Sequence, residues 1–137
     1  EELVSGSFLP GLADPTPPED PSRVVLCQGK LFYNLAVKRS DDGIDDVALV
    51  RLEQCYPFPT DALRHELDRF GEVEVVWAQE EPENMGAGRF VLRNVRESLG
   101  VEARMVARPE SPSPATGSLT LHKREQQALI ERALAGR

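Results

Sequence analysis

Three carboxylates crowd into one short stretch: Glu80, Glu81 and Glu83 follow an apolar run in "VVWAQEEPENMGAG", residues 75–88. Two acids sharing a cleft could serve as general acid and base. No histidine or lysine stands at a spacing that completes such a pair. The residues fit better as an acidic turn ahead of a helix N-terminus, where the helix dipole stabilises negative charge by a few tenths of a kcal/mol. Asn84 fits the cap of that helix, and Gly86 with Gly88 fits close packing of the helix start. Gly29 and Lys30 could offer backbone amides and a cation to a phosphate. The GxxxxGK[ST] pattern is missing, which leaves a tight strand-to-helix turn with an exposed lysine.

The remaining candidates are weaker. His65 and His122 have no second ligand four residues on, so neither makes a case for a metal. Ser111, Ser113 and Thr116 stand in "SPSPATG", which lacks a nucleophile-elbow pattern and reads as a rigid loop. Cys27 and Cys55 lie in or beside apolar runs without CxxC or Cys/His spacing, and read as buried reduced thiols of a cytosolic protein. No catalytic constellation can be assembled from these residues.

The elements that must position them alternate. The chain of 137 residues fits one domain that buries roughly two-thirds of its unfolded surface. A formal charge of −7 argues against nucleic acid or an anionic membrane surface as partner. No apolar run approaches membrane-spanning length, and no leader pattern is present. The start, "EELVSGSFLP", has no initiator Met and reads as a piece of a longer protein. Residues 1–22, rich in proline and acid, read as an extended linker, and 23–137 as the domain.

Four β-branched runs, "RVVLCQ", "DVALVRL", "VEVVWAQ" and "EARMVAR", read as buried strands. Between and after them come four helical patterns. Leu31, Leu35 and Ala36 mark the first, stopped by Gly43. Thr60 caps the second, which shows Leu63, Leu67 and Phe70 and ends at Gly71. Phe90, Val91, Val95 and Leu99 stripe the third. Leu121, Leu129, Ile130, Ala133 and Leu134 stripe the fourth. Continuous apolar strands alternating with helices predict an α/β sandwich, a mainly parallel sheet with helices on both faces. Ligands in such sheets sit where strands end, which draws attention to the turns at 27–30, 51–59, 79–88 and 108–117.

"VVLCQGKLFYNL", "VRLEQCYPFP", "VVWAQEEPENMGA", "ARPESPSPATG" and "HKREQQALIERAL", in that order, resemble the C-terminal domain of the thiamine-dependent first component of 2-oxoglutarate dehydrogenase. The opening residues resemble the segment leading into that domain. The resemblance implies a three-layer, transketolase C-terminal-like fold, with room for an antiparallel edge strand. It implies no catalytic residue and no cofactor in this segment, thiamine diphosphate and magnesium being held by two preceding domains across a homodimer interface. The implied parent reaction is oxidative decarboxylation of 2-oxoglutarate with succinyl transfer to lipoyl groups of a dihydrolipoyl succinyltransferase, in the tricarboxylic acid cycle. Such a parent is cytoplasmic in a bacterium, or in the mitochondrial matrix of a eukaryote. The implied role of this segment is dimerisation, with nucleotide or acetyl-CoA regulation in some members.

Within that resemblance, Gln54 matches a regulatory contact position, and Gln79, Glu80, Glu81, Asn84 and Gly86 form the signature turn. Two positions depart from the pattern. Gly88 stands where the family commonly has a bulky aromatic, and Thr60, Asp61 and Ala62 stand where acetyl-CoA-activated members can carry basic residues. The alternative is a free-standing nucleotide-binding or adaptor module of the same fold. A related keto-acid dehydrogenase or a transketolase is a third reading, which the "SPSPATG" and "HKREQQ" ending argues against.

Overall fold

The computed structural model describes residues 11–135. Four strands run parallel: β2 (Arg23–Cys27), β3 (Val47–Leu52), β4 (Glu74–Pro82) and β5 (Ala103–Arg108). A short strand β1 (Gly11–Leu12) pairs antiparallel with β3, giving the order β1-β3-β2-β4-β5. The helices are α1 (Leu31–Asp41), α2 (Thr60–Asp68), α3 (Gly88–Asn94), which continues as a π-helical turn over Val95–Leu99, and α4 (Leu119–Leu134).

Every residue of β2 and β3 is buried, as a parallel sheet covered on both sides requires. Successive side chains point to opposite faces, so each strand feeds two cores. Val25, Cys27, Leu49, Val76 and Ala78 pack with Leu31 and Leu35 of α1 and Leu129 and Ala133 of α4. Val24, Leu26, Val50, Val75 and Trp77 pack with Leu63 and Leu67 of α2 and with Val91 and Val95. This is the three-layer α/β sandwich expected from the alternation of elements.

One buried cation ties the amino-terminal edge of the sheet to the last helix. Arg23 pairs with Glu74 at 2.6 Å and donates to the carbonyl of Ala133 at 3.1 Å, where the last carbonyls of α4 lack helical donors. Burial pushes the Glu74 carboxyl up, but hydrogen bonds from Arg23 and Arg104 outweigh it and hold the group below its ordinary range.

The structure corrects several local expectations. Thr60 is not an N-cap: Pro59 occupies that position without a side-chain bond, and Thr60 is the first helical residue. β4 runs on past Gln79 to Pro82, with a register irregularity between Ala78 and Pro82. Leu121 is 44% exposed, outside the stripe that Leu129, Ala133 and Leu134 bury. Of the extended linker read at 1–22, residues 1–10 lie outside the described residues. Gly11 and Leu12 join the sheet through their backbone, opposite Leu52 and Arg51, and Asp14 is buried.

Candidate functional site

The two halves of the sheet diverge between β2 and β4. The chain leaving β2 turns into α1 on one face, while the chain leaving β4 reaches α3 on the other. Such a reversal opens a crevice at the carboxyl ends of the strands, where ligands of open α/β sheets bind. Here the crevice is occupied by side chains. Glu80 accepts a hydrogen bond from Gln126 Nε2 of α4 at 2.7 Å, and Lys30 Nζ lies 3.7 Å away. The turn supporting Lys30 is tight: Gly29 has φ of 56°, a left-handed conformation in which it avoids a Cβ penalty, and its carbonyl accepts from the amide of Phe32.

The signature turn is organised by Gln79, which is 4% exposed. Its Oε1 accepts from Trp77 Nε1 at 2.9 Å and from the Gly88 amide at 2.8 Å. Its Nε2 donates to the carbonyls of Pro82 at 3.0 Å and Met85 at 2.7 Å. The amide thus spends its full hydrogen-bonding capacity on the turn itself. Gly88 explains the missing aromatic: a Cβ at this position would fall 2.6 Å from Gln79 Oε1 and 2.7 Å from Met105 Cε. Met105 and the amide fill the space, and α3 starts against them.

The acids do not sit in the first turn of α3, where the helix dipole would favour them. Glu80 and Glu81 belong to the end of β4. As neighbours on a strand they point to opposite sides, Glu80 into the crevice and Glu81 to an exposed position. Asn84 does not cap α3, whose N-cap is Ala87. Its amide instead grips the backbone of Ser111 twice, donating to the carbonyl at 3.0 Å and accepting from the amide at 3.1 Å. Gly86 has φ of 71°, and a Cβ there would come within 3.1 Å of Gln79 Nε2 and of Glu81 Cβ.

Arg108 completes the same assembly. Its buried guanidinium donates to the carbonyl of Glu80 and, at 2.6 Å, to that of Pro114, and it meets Glu125 at 3.4 Å. The signature turn, the "SPSPATG" loop and α4 are thereby fastened into one rim. Arg108 and Gln126 escaped notice as site residues in the sequence, although both lie in motifs that carry the family resemblance. Arg108, a charge between Ala107 and Pro109 at the end of an apolar strand, carries a local signal, whereas Gln126 stands among Glu125 and Gln127 and carries none.

The second rim element is the turn after β3. Gln54 is exposed and donates to the carbonyl of Pro57 at 3.4 Å, beside the cis Tyr56–Pro57 bond. Gln28 Nε2 donates to Cys55 Sγ at 3.0 Å, linking this turn to the end of β2. Burial raises the Cys55 thiol, partly offset by that bond. Cys27 is fully buried, and burial pushes its thiol from 9.0 up to about 12 despite the opposing pull of Arg51. Both cysteines are free thiols. Among the described residues no three His, Cys, Asp or Glu side chains are grouped to hold a metal ion. No described helix is long and apolar enough to cross a membrane.

A model of the 2-oxoglutarate dehydrogenase C-terminal family matches residues 1–134. The chain belongs to that family. Among its relatives, the 2-oxoglutarate dehydrogenase E1 component of Haemophilus influenzae is 39% identical over 140 residues, covering 98% of this chain and 15% of the relative. The E1 component of Brucella anthropi is 47% identical over 119 residues, covering 82% and 12% respectively. The chain thus spans about an eighth of the curated relatives it matches. A solved chain described as a split-gene transketolase, an inactive β4 tetramer, superposes with a TM-score of 0.63 at 19% identity, covering 93% of this chain and 42% of that one. That likeness establishes the transketolase-like fold.

Proposed function

We propose that this 2-oxoglutarate dehydrogenase C-terminal domain completes a thiamine-dependent parent enzyme and supplies no catalytic group. The observation carrying this reading is the family match over nearly the whole chain, combined with a signature turn whose Gln79 is held by the Pro82 carbonyl and the Gly88 amide and whose Glu80 accepts from Gln126. The parent oxidatively decarboxylates 2-oxoglutarate, and its preceding domains hold thiamine diphosphate and magnesium. The succinyl group passes to the lipoyl groups of a dihydrolipoyl succinyltransferase. The domain, which takes in the edge strand Gly11–Leu12, supports a homodimer, cytoplasmic in a bacterium. Gln54, exposed on the rim, is the proposed contact for a regulatory nucleotide or acetyl-CoA.

The test is an assay with ferricyanide as electron acceptor. A full-length parent supplied with thiamine diphosphate, magnesium and 2-oxoglutarate should reduce it, and residues 1–137 alone should not. Micromolar binding of thiamine diphosphate to residues 1–137 by calorimetry would overturn the division of labour. In the parent, Gln54→Ala should change the response to acetyl-CoA or AMP while leaving unstimulated turnover within about twofold of the original, well under one kcal/mol of barrier.

A further inference from the structure

The edge strand β1 has only two residues, Gly11 and Leu12, opposite Leu52 and Arg51 of β3. A ladder this short is a weak attachment, because an isolated strand pair is marginal even at full length. Two residues further on, however, Asp14 is buried with 5% exposure. Its carboxylate accepts both terminal nitrogens of Arg39 from α1, the Nη2 bond being 3.0 Å. It also accepts the backbone amides of Leu49 at 2.9 Å and Thr16 at 3.0 Å. Arg39 in turn donates to the Val47 carbonyl at 2.9 Å and to Thr16 Oγ1 at 3.1 Å. One carboxylate therefore joins the incoming segment to β3 and α1 together.

We infer that Asp14 is the latch of a strap: residues 11–18 close over the outer edge of β3, and they open as a unit when the carboxylate loses its partners. Paired charge-assisted bonds of this kind exceed what two ladder residues supply, and breaking one partner leaves a buried charge uncompensated. The core below does not share this dependence, since β2 is held by β3 on one side and β4 on the other. Opening uncovers the edge of β3 and takes the Gly11 wall from a hollow of about 120 Å³ that Val50, Leu52, Leu63, His65 and Glu66 also line. This inference does not rest on the proposed function.

The test is hydrogen–deuterium exchange on residues 1–137, comparing the original with Asp14→Asn and Arg39→Met. The Asn variant keeps the volume and one acceptor, and the Met variant removes the cation from the other side. Exchange should rise at least tenfold in segments 11–18 and 47–52, including the Leu49 amide, with segments 23–27 and 74–82 unchanged. Equal acceleration in all four segments, or a failure of both variants to fold, would overturn the strap and make Asp14 a component of the global core. No acceleration in either variant would equally overturn it, showing that the ladder alone holds the edge.

Discussion

Gln79 directs all four hydrogen bonds of its side-chain amide into the protein. Those bonds join the turn to the indole of β4, and the two donors the amide satisfies, Trp77 Nε1 and the Gly88 amide, are buried away from water. Gln79→Leu keeps the volume and strands both donors, so urea titration should show a loss of roughly 2–4 kcal/mol. An unchanged midpoint would mean that the turn is organised by something else. Cys27 makes a second residue-scale case. Its raised pKa means the unfolded chain gives up this proton near 9.0 and the folded chain near about 12, so the stabilisation is complete below the first value and lost as pH climbs through the second. At pH 8 a thiol reagent should label Cys55 and leave Cys27 untouched until denaturant is added. Rapid labelling of both would contradict the burial described for Cys27.

At the scale of elements, strand runs and helix stripes were legible in the sequence because burial on both faces demands continuous apolar strands, and helical spacing marks the cover. Val76 illustrates the point: it lies in β4 with no exposed surface, flanked by β2 and β5. Val76→Asp puts an unpaired charge there at a cost of several kcal/mol, and the variant should lack a cooperative thermal transition. What escaped the sequence depended on distant partners. β1 has two residues and no pattern, and its position follows from Asp14 meeting Arg39 far along the chain. Asn84 looked like a cap because a helix follows, yet its partner is Ser111, 27 residues away. Thr60 failed as a cap because Pro59 precedes it and Leu63 already donates to the Pro59 carbonyl. Asn84→Ala should leave stability within about 1 kcal/mol, since exposed bonds contribute little, but should speed proteolysis within 109–118. Equal cleavage rates would show that Arg108 alone holds the loop.

For the whole molecule, family membership and committed rim side chains point the same way. The chain matches 12–15% of its relatives' length, and at its strand ends Glu80 meets Gln126 at 2.7 Å and the exposed Lys30 at 3.7 Å, which supports the proposal that it completes a larger enzyme. The acid triplet was legible as an acidic turn but its geometry was not, because local reading cannot see which side of β4 each carboxylate faces, or that Gln79 and Asn84 tie the turn together. The most direct measurement is the ferricyanide activity and light-scattering mass of the full-length parent with and without residues 1–137. Loss of both activity and dimer on removal is the expected result. Full activity in an intact dimer lacking the domain would contradict the claim that it completes the enzyme.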